Sequence, residues 1–422
     1  MGTEPGAIHH LTRKKATLFK EPMTQESDFL IIGGGVMGLS IARELRKSFH
    51  GSRVILIEKE DHCGEHASGR NSGVLHAGFY YTADSLKARF TRDGNRALTE
   101  YCESHGLTLN KCGKLIVAQN ENELLWLDEL MKRAEKNGVD LKAIDQKEAE
   151  SIEPRVKTYQ RALFSPTTSS VDPAEVMARL HQDALAEGVE IHLGVRYLQR
   201  TANGIQTTTG NHKTRYLVNC AGLYADTIGR DFGFSKHYRI LPFKGLYLYS
   251  NEPVGSLRTH IYPVPDLRNP FLGVHFTVTA RGAVKIGPTA IPAFWREQYK
   301  GIANFNSTEL VEILFRQAGL FFSSNFDFKK LAWEEIQKYS RSHLVSLASN
   351  LLRNVRKSQY KRWGPPGIRA QLLDLRGKKL EMDFVVENDD RSMHILNAVS
   401  PAFTCAFPFA EYVRKKIEPL MR

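Results

Sequence analysis

DFLIIGGGVMGLSIARELRKSFHGSRVILIE, residues Asp28 to Glu58, is the stretch whose reading decides the fold. Phe29 to Ile32 form a short apolar run that stops abruptly at Gly33, Gly34 and Gly35, and an amphipathic segment follows from Val36 to Phe49,. The order is strand, tight turn, helix. Gly33, Gly35 and Gly38 fit G-x-G-x-x-G: one glycine for the turn, one letting backbone approach a pyrophosphate, one for close packing of helix on strand,. A phosphate then rests on the helix N-terminus. A second β-type run, Val54 to Ile57, ends at Glu58, 20 residues past Gly38, where a carboxylate can accept both hydroxyls of an adenosine ribose,. Together these features predict a dinucleotide cradle.

The remaining composition narrows the class. A chain of 422 residues, 42% hydrophobic and 25% charged, has room for two lobes and carries no fibrous or disordered signature,. Its five cysteines (Cys63, Cys102, Cys112, Cys220, Cys405) are odd in number and lack C-x-x-C spacing, which argues against a disulfide framework or a zinc cluster,. The longest charge-free run, Ile395 to Ala410, contains Pro401 and Pro408 and falls short of the ~20 residues a membrane span requires,. A net charge of +12 suits nucleic acid, an anionic membrane surface or an acidic substrate, and does not choose among them,. Residues 1–27 read as a disordered extension without the apolar segment of a secretion signal, with Met23 as a natural start,.

Past the cradle, HASGRNSGVLHAGFYY (residues 66–81) has neither helical nor strand period; it is either a surface loop or a ligand-binding segment,. Helices are expected over Ser85–Leu107, Glu121–Asn137 (ended by Gly138), Asp145–Ile152 and Pro173–Glu187, and strands over Lys114–Ala118, Val189–Leu193 and Thr214–Ala221,. Arg196 to Asn211 reads as a hairpin. Short β-like runs at Gly245–Tyr249, His260–Pro263, Leu272–Thr279 and Ala283–Ile286 point to a mainly antiparallel second domain,. Helices are expected again at Thr308–Leu320, Phe328–Tyr339 and Ser342–Trp363, the last one basic through Arg353, Arg356, Lys357, Lys361 and Arg362. That basic face is either solvated or a patch for an anionic membrane or partner. The end of the chain reads as a hairpin-like pair, a strand Met393–Asn397, and a helix Phe403–Ile417 whose N-terminus would lie near the ligand,.

These residues also carry a family likeness. The sequence resembles the FAD-dependent D-amino-acid oxidase-like superfamily, and within it the L-2-hydroxyglutarate dehydrogenases, also called oxidases. The marks are GGGVMGL, HASGRNSGVLHAGFYYTADSLKA, YPVPDLRNPFLGVHFT, GPTAIPAFWREQY, PGIRAQL and LNAVSPAFT, spread from about Asp28 to Ile417. The resemblance implies an α/β protein with an α+β second domain: a Rossmann-type FAD-binding domain (28–110, 155–235, 364–422) interleaved with an antiparallel-sheet substrate domain (111–154, 236–363). It implies that Gly33, Gly35, Gly38 and Glu58 hold the ADP half of FAD, and that Arg70, Asn71, Ser72 and Gly73 run along pyrophosphate and flavin. Val195 would touch adenine, and Ala221 and Gly222 would pass close to the cofactor. Gly367, Ile368 and the segment from Ser400 to Thr404 would frame the isoalloxazine. Family members often carry Phe-Arg-Gly-Glu-Tyr where this chain has Phe243-Lys244-Gly245-Leu246-Tyr247.

Such an enzyme oxidises a 2-hydroxy diacid by moving hydride from C2 to flavin N5 while a base takes the hydroxyl proton. Arg369 is the candidate for the C1 carboxylate, because guanidinium pairs with carboxylate through two parallel hydrogen bonds. His76 and His275 are candidate bases, His76 preferred because its loop should run along the flavin. Tyr81, Lys244 and Tyr262 are candidates for the distal carboxylate. A quinone-like acceptor or oxygen would take the electrons. Peripheral membrane contact is left open, and nucleic acid is not expected. The expected location is cytoplasmic or at the inner membrane, mitochondrial in a eukaryote. The alternatives are a related amino-acid or amine oxidase, and a basic membrane- or nucleic-acid-associated protein with structural FAD.

Overall fold

The computed structural model describes residues 24–265, 272–323 and 328–421. The cradle forms as the apolar pattern requires. Strand β1 (Thr24–Ile32) lies parallel to β2 (Val54–Ile57) and to the strand Gly210–Asn219, and helix α1 (Val36–Ser48) crosses between β1 and β2. Outside these the sheet continues to Glu190–His192 on one side and the Tyr197–Thr207 hairpin on the other, and Ser392–Ile395 joins in parallel. Leu30, Ile31, Val54 and Leu56 are inaccessible, the continuous apolar run of strands covered on both faces,. On one face α1, helix α2 (Leu86–Ser104) and the C-terminal helix Ala402–Ile417 pack together over Leu39, Leu45, Phe90 and Phe409. Each such side chain stabilises by about 1.5–3 kcal/mol.

A second eight-stranded sheet runs from Tyr360–Trp363 through the central strands His275–Val278, His260–Pro263 and Lys114–Val117 to Arg161–Ser165 and Lys142–Asp145. Every pairing is antiparallel except that of His260–Pro263 with Lys114–Val117. Arg161–Ser165 therefore belongs to this sheet, beyond the expected boundary at 155. Between the sheets, Tyr238–Gly245 pairs along its whole length with Gly367–Asp374, joining the middle of the chain to its C-terminal third.

Several expectations are corrected. The helix expected over Ser342–Trp363 ends at Ser349, because the following residues pair with the 155–157 segment: the Arg353 N–H donates to the Arg155 carbonyl at 2.7 Å and Val156 bridges Leu352. Its basic residues lie on a turn and on the strand Tyr360–Trp363. The strand expected over Gly245–Tyr249 is instead two, ending at Gly245 and restarting at Leu248. β1 begins at Thr24, inside the expected extension, since Thr24–Ser27 pair with Asn211–Thr214. The remainder of that extension lies outside the described residues. Residues 66–81 are a surface loop only in their first half: Ala67 and Gly69 are exposed, whereas Val74 to Tyr80 are buried, with Val74–Leu75 paired to Ser169–Ser170.

A buried ion pair ties these parts together. Asp226 is inaccessible, and Arg296, only 2% exposed, reaches it through Nη1 at 2.7 Å and Nη2 at 3.1 Å; the Ile240 N–H and Arg230 also donate to it. Burial pushes the Asp226 carboxyl up, but Arg296 and Arg230 outweigh it and hold the group at about 2. Truncating Arg296 to Met removes the buried partner of that charge, leaving it only Arg230 and the Ile240 N–H, and should cost about 3 kcal/mol in denaturant melts,. The depressed pKa makes the wild-type contribution complete above the unfolded carboxyl value near 4 and lost as pH falls toward 2,. Acid titration of the unfolding midpoint should therefore show a steeper loss below pH 4 in the wild type than in an Asp226→Asn/Arg296→Met double variant.

Candidate active site

The sequence carries the chain from β1 into α1 through a turn that only glycine permits. Gly33 adopts φ +108°, and a Cβ there would lie 2.6 Å from the Cys220 carbonyl oxygen; a Cβ on Gly38 would lie 1.9 Å from the Gly33 carbonyl oxygen. α1 thus sits as close to the strand as two backbones allow, and its N-cap, Gly35, contributes no capping side chain. The Ser68 hydroxyl fills part of that role, accepting the Val36 N–H at 2.9 Å. At the far end of the site the C-terminal helix also starts without a side-chain cap, at Pro401. By contrast Ser85, Asn120, Asp145 and Asp172 cap their own helices. Two uncapped helix N-termini thus border one cavity, and each leaves donors for anionic or carbonyl oxygens.

That cavity, about 790 Å³, runs from the C-terminal ends of β1 and β2 to the second sheet. Gly33, Gly35, Glu58, Val195, Ala221 and Gly222 line one end. Glu58 is fixed there by two backbone donors, Gly34 N–H at 2.6 Å and Glu60 N–H at 3.0 Å. Arg70, Asn71 and Ser72 line the middle, beside Gly367, Ile368 and the Ser400–Thr404 segment. Gly38 and Gly73 stand outside the lining. Gly38 serves helix packing, and Gly73 is confined by the neighbouring strand, since a Cβ would meet the Val171 carbonyl oxygen at 2.4 Å.

The polar side chains of the 66–73 loop already have protein partners. Arg70 bonds the Glu65 carboxylate and carbonyl, and its guanidinium lies 4.7 Å from the Tyr299 ring centre. Asn71 accepts the Gly73 N–H at 2.8 Å and donates to the Ser68 carbonyl at 2.7 Å. What the loop presents to a ligand is chiefly backbone. The residues fit FAD: a backbone cradle with an open helix end, a fixed carboxylate 20 residues beyond Gly38, and a second open helix end at the opposite side.

The other end of the cavity gathers His76, Tyr81, Tyr262, His275 and Arg369. Arg369, opposite Phe243 in the bridging sheet, is pushed down to about 10 by burial, with the Tyr81 and Tyr247 hydroxyls acting against that shift. Lys244 is not in the lining. Phe243 and Gly245 on either side of it are, and the two-residue pleat turns Lys244 to the other face, where burial lowers its pKa,.

Both histidines are held neutral. Burial lowers His76 well below the usual imidazole value, reinforced by Lys114, His275, His260 and Arg369; burial takes His275 to about 3 despite the Gly273 carbonyl. The His275 ring stacks on Tyr262, centroids 3.7 Å apart, and its Nδ1 donates to that carbonyl at 2.8 Å, which leaves Nε2 as the acceptor,. For His76, the backbone N–H donates to the Thr404 hydroxyl at 3.2 Å, while Nδ1 has no hydrogen-bond partner among the described residues. The structure therefore fixes a tautomer for His275 and, among the described residues, none for His76.

Two lysines were not singled out by motif. Lys114, wholly inaccessible, lies 4.7–4.8 Å from the ring centres of Phe79, Tyr80 and Tyr262, and burial pushes it down to about 7. Three aromatic faces stand in for a counter-ion. Lys87 lines the cavity from the first turn of α2. Its signal was present in the helix: Lys87, Thr91, Gly94, Leu98 and Cys102 share the buried stripe, so the pattern places a cation among core positions,.

A family model described as FAD dependent oxidoreductase matches residues 28–415. The chain is 34% identical over 400 residues to an L-2-hydroxyglutarate dehydrogenase of Escherichia coli O17:K52:H18 (strain UMN026 / ExPEC), covering 93% of this chain and 94% of that one. It is 33% identical over 443 residues to the mitochondrial L-2-hydroxyglutarate dehydrogenase of Homo sapiens, covering 99% and 95%. Among solved structures, the L-alpha-glycerophosphate oxidase of Mycoplasma pneumoniae with FAD bound superposes with a TM-score of 0.73 at 21% identity, over 94% and 95% of the two chains. A cavity reaching from the glycine cradle to a pair of neutral histidines agrees with that match over nearly the whole length, and the chain belongs to the FAD-dependent oxidoreductase family.

Proposed function

We propose that this chain oxidises L-2-hydroxyglutarate to 2-oxoglutarate and passes the electrons to a quinone-like acceptor or to oxygen. The observation that carries the reading is Arg369 in the same cavity as two neutral histidines and the dinucleotide cradle. The names borne by the relatives above support the choice of substrate. Bound FAD supplies the two-electron acceptor for the hydrogen on C2. The chain's own residues do the rest. Arg369 binds the C1 carboxylate through paired N–H donors. His275, its Nδ1 proton engaged by the Gly273 carbonyl, accepts the substrate hydroxyl proton at Nε2; His76 is the second candidate for that step,. Buried Tyr80 and Tyr262 exclude water around the reacting carbon,.

The protein purified with FAD should bleach under anaerobic conditions on adding L-2-hydroxyglutarate and stay yellow with glycine or sarcosine. Bleaching by the amines instead would transfer the chain to the amine-oxidising alternative. Replacing Arg369 with Ala should raise KM for L-2-hydroxyglutarate by roughly 100-fold while the flavin spectrum persists. Unaltered kinetics with flavin retained would take Arg369 out of the substrate site.

The same reading includes a peripheral contact with an anionic membrane and a cytoplasmic or, in a eukaryote, mitochondrial location. No described helix is long and apolar enough to cross a membrane. Val311, Leu314 and Phe315 are exposed on one side of the helix Ser307–Ser323, and Trp333 and Ile336 on the next helix, Phe328–Gln337. Exposed apolar surface of this kind favours an interfacial contact. In flotation assays the protein should rise with anionic vesicles and a Phe315→Glu/Trp333→Glu variant should remain at the bottom. Equal flotation of both would remove these helices from any contact.

A further inference from the structure

We propose that Lys87 selects dicarboxylate substrates by binding the carboxylate distal to the reacting carbon. The assignment rests on the 2-hydroxy-acid reading above and extends it to a residue outside the sequence-derived site. Among the cations lining the cavity, Arg133 donates to Glu129 and to the Tyr80 carbonyl, each at 2.8 Å. Lys59 pairs with Glu60 and Glu297, and Arg70 with Glu65. These charges are already answered, and Arg196, which also lines the cavity, is exposed to solvent.

Lys87 differs. It is 4% exposed, and no hydrogen bond or ion pair reaches its Nζ among the described residues; the centre of the Tyr81 ring lies 6.0 Å from Nζ. The carboxylate that could neutralise it, Asp383, is committed elsewhere. Its oxygens accept the backbone N–H groups of Leu86 at 2.8 Å, Lys87 at 3.0 Å and Phe384 at 2.8 Å, which makes it the anionic cap of α2,. Burial, then the nearby charge of Arg369, pushes Lys87 down to about 7, with Asp383 pulling the other way. A buried cation without a committed partner is costly unless a ligand supplies the anion. Two cations in one cavity, Arg369 and Lys87, match a ligand with two carboxylates better than one with a single carboxylate. Lys244, the cation expected from sequence in this role, faces away from the lining.

The test compares L-2-hydroxyglutarate with L-2-hydroxypentanoate, which keeps the chain length and lacks the second carboxylate. In Lys87→Met holoenzyme, the ratio of kcat/KM for the diacid over the monoacid should fall about 100-fold, mostly through KM, and Lys87→Arg should restore much of it. A readout independent of turnover is glutarate binding followed by the flavin absorption spectrum. Wild-type affinity should weaken as pH rises past 7 and Lys87 loses its proton; the Lys87→Met protein should bind weakly at every pH. A variant that retains flavin and keeps the wild-type preference for the diacid overturns the assignment alone, as does equal loss toward both acids. A wild-type protein inert toward both acids overturns the 2-hydroxy-acid reading and the assignment with it.

Discussion

The whole arrangement depends on how closely α1 approaches β1. With the Gly33 carbonyl oxygen 1.9 Å from where a Cβ on Gly38 would stand, no side chain fits between helix and strand. That contact brings the helix N-terminus to the C-terminal edge of the parallel sheet, the edge at which open α/β sheets bind ligands. Everything else at the site is built outward from it. Ser68 ties the 66–73 loop to the first turn of α1, that loop leads into His76, and Thr404 joins His76 to the start of the C-terminal helix. The cavity is therefore closed by three segments that are far apart in sequence and share one anchor.

How much of this is legible in the sequence depends on whether the deciding force is local. Helix Glu121–Asn137 matches its expected limits because Asn120 caps it and Gly138 ends it in the left-handed region at φ 63°,. The cradle is legible for the same reason: turn, helix and strand follow one another. The helix expected through Trp363 fails because Leu351 and Leu352 continue its apolar period beyond Ser349 while their backbone is claimed by the 155–157 segment. No local residue announces that pairing. The strand Tyr238–Gly245 contains Pro242, which disfavours a paired strand, and only its distant partner Gly367–Asp374 makes it one,.

The site divides along the same line. Gly33, Gly35, Ala221 and Gly367, which spacing and resemblance single out, all line the cavity. Residues that act through charge do not follow so simply, because charge at a site depends on which cations find partners. Arg70 belongs to the most distinctive block of the sequence, yet its guanidinium is answered by Glu65. Lys244 occupies a position where family members often carry arginine, yet the pleat turns it away from the cavity. In both cases a motif gave the location and three-dimensional pairing decided the chemistry.

The electrostatic balance of the cavity then follows from burial. Burial holds a histidine beside cations neutral and pushes the Lys87 and Lys114 ammoniums down to about 7,. A base that is neutral at working pH needs no prior proton loss before it can accept the substrate's proton. The same cations that keep it neutral attract an anionic substrate, so substrate binding and base readiness arise from one field. In the proposed reaction a carboxylate held by Arg369 would weaken the positive field at His76 and raise that ring's affinity for a proton,.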